Sequence, residues 1–227
     1  MDIFTAIDSQ IENKDCTGKP ISYRKLALLA RAGCRATTAG GLPHTNFVLV
    51  NDGRKINGVA EATNGQDWIR KSGGLIAVIC QKNLLEDWYG ERAVNRAEED
   101  AALATQNILL ASTGLHLATH RIQEYNKDKV RQLLSPPEKI KFNTDSTEIY
   151  SLIAVGEPLT QNQDRRPLEL QNRIFFEIMG ERVQNPEYLR AEYVKLLEKV
   201  GYNIKKTGES ALRKMKKQVK ELLSNAK

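Results

Sequence analysis

The side chains able to do chemistry are scattered along this chain. His116 and His120 stand four residues apart in Gly114-Leu115-His116-Leu117-Ala118-Thr119-His120, the spacing at which two imidazoles on one helix face share a metal ion. No glutamate lies between them and no third ligand is evident, so they read as two partly exposed histidines at a helix end, and no metal is expected. Cys34 lies near Arg31 and Arg35, cations that favour a thiolate. No general base accompanies it, and it reads as a small loop cysteine. The sequence contains no P-loop, no dinucleotide-type glycine fingerprint and no Gly-x-Ser-x-Gly nucleophile elbow. The order of the elements is therefore more informative than any single motif.

Composition narrows the class. The 227 residues carry 34 Lys+Arg against 28 Asp+Glu, with 41% hydrophobic and 27% charged residues, an ordinary globular balance that argues against disorder or a coiled-coil rod. The longest strongly apolar run, Leu75–Cys80, is far short of the roughly 20 residues that span a bilayer. Neither a basic region nor a long apolar stretch opens the chain, and Cys16, Cys34 and Cys80 lack CxxC spacing; together these predict a cytoplasmic protein with free thiols and no membrane partner. The net charge of +6 comes from one end. Residues 201–227 hold eight basic and two acidic residues, leaving 26 of each sign in the rest. Such a tail reads as a solvated helix face ahead of a polyanion-binding arm, so nucleic acid is not the expected partner.

The elements that must position a site follow from periodicity. Short helices are expected at Asp2–Gln10, Lys55–Ala62, Gln66–Lys71 and Lys127–Leu134, and a stronger one at Ile21–Ala32 with Ser22 as N-cap. Cys34–Thr45, rich in Gly, Thr and Pro, reads as a loop. Phe47–Val50, Leu75–Cys80 and Tyr150–Val155 read as strands, with Arg173–Ile178 as a candidate fourth. Arg92 to about Leu117 is the longest helix, apolar around most of its circumference and so buried against the sheet. Beyond Pro186 two amphipathic helices are expected, giving a body over 1–180 and a C-terminal helical extension with a basic tail over 181–227.

This order of segments resembles the nitroreductase family of flavin enzymes. Leu28–Val50 is similar to the family's helix, small-residue loop and first core strand. Asp100–Leu115 resembles its central helix and closing Gly-Leu. Ser151–Pro158 resembles a later core strand with its Gly-x-Pro ending, and Arg165-Arg166-Pro167-Leu168-Glu169 the basic segment that follows. The resemblance implies an α+β fold with a central mixed sheet flanked by helices, and a homodimer binding flavin mononucleotide (FMN) in clefts between subunits. It implies an FMN-dependent oxidoreductase that passes a hydride from NAD(P)H through flavin N5 to a nitroaromatic, quinone or similar electron-poor acceptor.

The family's site maps onto particular residues here. Arg165 and Arg166 would hold the phosphate, the alternative being a solvated turn. Thr37, Thr38, Gly40 and Gly41 would let the backbone approach the cofactor, the alternative being a flexible surface turn. Spacing onward from the Gly-Leu turn brings Gln123 and Glu124 to the flavin edge, with the Glu124 amide as the donor to N5. The family's N-terminal Arg-Arg-Ser-x-Arg motif is missing: Ser9–Asp15 holds one lysine and no arginine, and Arg35 or Arg24 is the substitute. That absence motivates the alternative of a flavin- or ligand-binding relative without redox turnover.

Overall fold

A computed structural model of the chain describes residues 3–135, 146–160, 173–175 and 177–180. The expected helices after Pro186, the basic tail and Arg165-Arg166 lie outside the described residues. The chain divides into two compact units, one containing Ala6–Asp164 and the other containing Asp2–Thr5 with Arg165–Lys227. The sheet, the cores and the cavities described below belong to the first.

The strand Leu75–Cys80 sets the architecture. It lies within β2 (Gly74–Gln81), which pairs antiparallel with β1 (Thr45–Val50) on one edge and with β4 (Thr147–Gly156) on the other. A further strand, β3 (Ala118–Ile122), completes the order β1-β2-β4-β3. All three pairings are antiparallel, and parallel register among the described residues occurs at the isolated bridge between Glu12 and Thr119. Alternate side chains of β2 enter different layers, as a pleated strand requires. Ile76, Val78 and Cys80 pack with Leu26, Leu29, Ala97, Ala101, Ala104 and Ile108. Leu75, Ala77 and Ile79 pack with Ile56, Val59, Ala60 and Val130. A strand covered on both faces needs no polar alternation, which is why its sequence is one apolar run. Burial pushes the Cys80 thiol up to about 12 and the Cys16 thiol up to about 11, so both are held as unreactive thiols, whereas Cys34 is exposed.

The covering helices are α2 (Tyr23–Gly33) and α5 (Ala93–Gly114) on the first face, with α3 (Gly53–Glu61) and α6 (Lys127–Leu134) on the second. A short α1 (Ile3–Ser9) precedes them. Side-chain caps start three of these helices: Ser22 accepts from the Lys25 N–H, Asp52 from Arg54 and Asn126 from Lys129. Ala93, Ala97, Ala101 and Ala104 give α5 a face with little side-chain bulk, so its axis lies close to the sheet.

Four expectations need correction. Asp67–Lys71 form a helix of the tighter 3-10 kind in place of an α-helix, closed where the Ser72 N–H and hydroxyl both donate back to the Ile69 carbonyl. The long helix stops at Gly114. There Leu117 N–H reaches back to the Ser112 carbonyl, and His116 adopts a left-handed φ of 55° that ends the helical path. His116 and His120 therefore do not share a helix face, since His120 belongs to β3. The fourth strand of this sheet is β3. Arg173–Ile178, where described, contains a turn, an isolated bridge at Phe175 and bends. A helix α4 (Asn83–Tyr89), absent from the sequence reading, links β2 to the start of α5.

Gly73 shows how tightly the first unit is closed. Its carbonyl accepts from Ile21 N–H at 2.8 Å and its own N–H donates to Val155 at 2.9 Å. A Cβ here would stand 2.0 Å from the Lys19 carbonyl oxygen, a backbone atom with no rotamer to change. Gly73→Ala should lower stability by at least about 3 kcal/mol, read from the urea midpoint, because overpacking against backbone exceeds the usual side-chain case. A midpoint within error of the parent would show that Lys19 is free to move.

Candidate functional site

The loop between α2 and β1 is built for close approach. Gly40 and Gly41 are consecutive left-handed residues, with φ of 61° and 68°. A methyl group at Gly40 would lie 3.1 Å from the Tyr89 hydroxyl oxygen, whereas one at Gly41 would stand in open space. The turn is closed internally. Gly41 N–H donates to Thr38, Leu42 N–H donates to Ala39, and the Thr38 hydroxyl donates to the Leu42 carbonyl at 3.0 Å. It is tied to α5 at one point, where the Ala39 N–H donates to Asp100 Oδ2 at 2.7 Å. Asp100 is 5% exposed, and His44, at 0%, lies beside it with Nε2 at 3.1 Å from the same Oδ2. That contact has ion-pair distance but is poorly angled for a hydrogen bond. His44 Nδ1 is 3.1 Å from the Leu42 carbonyl, which can only accept, so Nδ1 carries a hydrogen.

Thr37, Thr38 and Gly41 line a cavity of about 590 Å3 together with Cys34, Asn46 and Ala104. Thr37 and Thr38 also border a smaller one of about 360 Å3 with Tyr89, Arg96 and Asp100. Arg35 is exposed just past α2 and lines neither. Gln123 and Glu124 are exposed residues directly after β3. Gln123 borders a third cavity, of about 500 Å3, with Arg121, Lys127, Tyr150 and Ser151. The Glu124 carbonyl accepts from Gln66 Nε2 at 2.9 Å, and no described residue accepts from its N–H. Tyr150 Oη and Ser151 Oγ are buried with no described partner, and burial, more than the nearby Glu148, Cys80 and Glu98, holds the Tyr150 phenol protonated. The predicted residues thus fall into two groups. One borders Arg96, Asp100 and Ala104 of α5, and the other borders Glu98 and Ala102.

Asp100 and His44 were not singled out from the sequence. An acid on the alanine face of a buried helix is the signal that could have found the first. A further cluster was also missed. Trp68 meets His120 edge to face, with centroids 4.9 Å apart and planes at 83°. Lys14 Nζ stands 5.3 Å over the Trp68 ring, and His120 Nδ1 is 3.5 Å from Glu12 Oε2. The other Glu12 oxygen accepts from the Arg121 N–H at 3.2 Å. Among the described residues no group of three or more His, Cys, Asp or Glu side chains is placed to hold a metal ion, and no helix is long and apolar enough to cross a membrane.

Comparison with solved structures shows the fold. A nitroreductase family protein from Streptococcus pneumoniae superimposes with a TM-score of 0.66 at 16% identity, covering 78% of this chain and 100% of that one. An FMN-dependent nitroreductase from Clostridium difficile gives 0.62 at 17%, covering 78% and 99%. A Desulfovibrio desulfuricans protein named as a nitroreductase, solved in complex with FMN, gives 0.62 at 21%, covering 79% and 98%. The chain therefore has the α+β fold of the nitroreductase family structures. No protein-family model matches it, and no curated protein matches it.

His120 supplies a test of the Trp68 cluster. Burial first, then Lys14 and Arg121, hold its pKa below 6.5, while Glu12 opposes them. A histidine with a depressed folded pKa favours folding in its neutral form. Its contribution is present above about pH 6.5 and is lost as pH falls from there through the lower folded value. Urea midpoints should therefore decline over that acid window in the parent and less so in His120→Gln; parallel declines would remove His120 as the cause.

Proposed function

We propose that the chain is an FMN-dependent oxidoreductase that works as a homodimer, taking reducing equivalents from NAD(P)H and delivering them to a nitroaromatic, quinone or similar electron-poor acceptor. The observation that carries this is the open-sided Thr37–Gly41 turn and the Glu124 N–H, which no described residue accepts, both on a fold shared with FMN-dependent nitroreductases. The residues fit the group. Two left-handed glycines expose backbone without Cβ atoms, and two threonines offer hydroxyls for a polyol chain. When bound, FMN supplies the electron relay, receiving a hydride at N5 and releasing one from it.

What the chain contributes is placement. The Glu124 amide would donate toward N5 without itself gaining or losing a proton, and its geometry is held by the Gln66 side chain on the adjoining carbonyl. The Thr37–Gly41 loop would meet the cofactor's ring edge and side chain. Arg165 and Arg166 would neutralise the phosphate, with Arg35 or Arg24 as substitutes for the absent N-terminal arginines. Because the two groups of residues border separate cavities of one protomer, a second copy bringing its Thr37–Gly41 loop to the first copy's Glu124 is the arrangement that assembles them.

A second reading, flavin binding without turnover, is favoured by one observation. Where the family has arginines this chain has Glu12, whose carboxylate accepts from the Arg121 backbone N–H and lies 3.5 Å from His120 Nδ1, and one lysine held over Trp68.

Purified protein should take up FMN and oxidise NAD(P)H when an acceptor is added. Glu124→Ala keeps the N–H and should leave turnover nearly unchanged. Glu124→Pro removes it and should cost about a hundredfold, as for a lost oxyanion donor. Arg165→Ala with Arg166→Ala should weaken FMN binding roughly tenfold or more. Failure to bind FMN ends this reading, and bound FMN without NAD(P)H oxidation leaves the second.

A further inference from the structure

We propose that the cavity where β3 ends beside β4 and α5 seats the electron acceptor, and that the acceptor is a small planar aromatic acid. Its carboxylate would meet Arg121 and Lys127 at the mouth, and an oxygen substituent on its ring would meet the Tyr150 and Ser151 hydroxyls inside. Calling the bound acid the acceptor rests on the flavin reading; its binding to the chain does not.

An irregularity in β4 builds the inner wall. Val78 of β2 faces Ser151 and Ile79 faces Ile149, which leaves Tyr150 as an extra residue. Ile153 and Val155 belong to the layer under α5, so alternation puts Ser151 on that face, and Tyr150 packs against the same layer. Two consecutive side chains therefore turn toward α5, which a regular strand would not allow. Their hydroxyl oxygens are buried, and neither has a hydrogen-bond partner among the described residues. Ser151 as a whole is 6% exposed. A buried hydroxyl without a partner has lost its water and gained nothing, a cost that a ligand oxygen seated against it would offset. β3 pairs with β4 no further than Ile122 opposite Leu152. Beyond that pair lies the cavity of about 500 Å3, within the size range of small-molecule sites.

The mouth selects for charge. Arg121 is exposed and stands two residues after Thr119, whose hydroxyl is 2.9 Å from that of Ser112 on α5, so alternation places both on the α5 face. Lys127, exposed at the start of α6, borders the same cavity. No described carboxylate lies within ion-pair distance of either cation. Glu98, exposed on α5, also borders the cavity and opposes an anion, so two cations face one carboxylate. Burial holds the Tyr150 phenol protonated, which makes it a donor. With Ser151, Arg121 and Lys127 the donors outnumber the acceptors, which suits a ligand rich in acceptor oxygens. The rings of Tyr125 and Tyr150, with Ile122 and Ile149, offer apolar walls to a flat ring. Gln123 borders the cavity too, so an acid seated there lies beside the Gln123-Glu124 edge assigned to the flavin.

The test uses the whole chain without cofactor, with para-nitrobenzoate as probe and the uncharged para-nitrobenzamide as its match. Calorimetric titration should show the acid binding about tenfold more tightly than the amide. Arg121→Gln should remove most of that preference. Glu98→Gln should strengthen acid binding roughly twofold, since it deletes the opposing charge. Ser151→Ala and Tyr150→Phe should each weaken both probes about threefold while leaving the urea midpoint equal or higher, because neither deletes a native hydrogen bond. In the FMN-loaded protein the two probes, offered as acceptors, should keep the same order in KM. No measurable binding, equal affinity for the two probes, weaker acid binding in Glu98→Gln, or midpoints that fall in step with affinity overturn the proposal. Displacement of the acid by FMN also overturns it, since the cavity would then hold the cofactor. If the acid binds as stated and the chain takes up no FMN, the flavin reading fails and the acid site stands.

Discussion

A carboxylate sealed inside an apolar layer organises this molecule. Asp100 has water on almost none of its surface, so the protein must supply its solvation. It does so with a backbone N–H from one loop, while the imidazole of the residue just before β1 lies 3.1 Å from the same oxygen. Those two neighbours determine where the loop between α2 and β1 sits relative to the longest helix. The alanines beside Asp100 on α5 matter for the same reason, since larger side chains would hold the helix off the sheet and separate the carboxylate from its partners.

Much of this architecture was legible in the sequence. β1, β2 and β4 announced themselves as apolar runs with glycine or Asn-Asp at their ends, and Ser22 marked the start of α2. β3 did not, because Ala118-Thr119-His120-Arg121-Ile122 contains only two strand formers, Thr119 and Ile122, inside a stretch that continues a helix pattern. What ends that helix is the left-handed turn at His116, a conformation that a histidine does not advertise. α4 was missed because its seven residues offer only a short apolar pattern.

The candidate site was legible in a different measure. Thr37, Thr38 and Gly41 border one cavity and Gln123 borders another, and their assignment to a cofactor came from the resemblance of segments rather than from these residues alone. Asp100 and His44 are far apart in sequence, and their pairing is a tertiary fact that neither local pattern contains. Glu12 is a similar case, since its contacts with the Arg121 backbone N–H and His120 depend on an isolated bridge to β3.

One feature of the sheet bears on how the protein survives at high concentration. β4 pairs with β2 along its length but meets β3 only from Leu152 onward, so Glu148–Ser151 has no described strand on its outer side. A strand rim without a partner strand is the kind of edge onto which a foreign chain can zip, the route by which proteins pass into fibres, although Glu148–Tyr150 are half-buried here and Ser151 is buried. Here the rim is spoiled by one supernumerary residue. Tyr150 stands between the partners of Val78 and Ile79, so the regular spacing of the strand is broken where a guest would have to register. Deleting that single residue would restore a regular template, and the colloidal behaviour of the protein would then depend on what else happens to cover it.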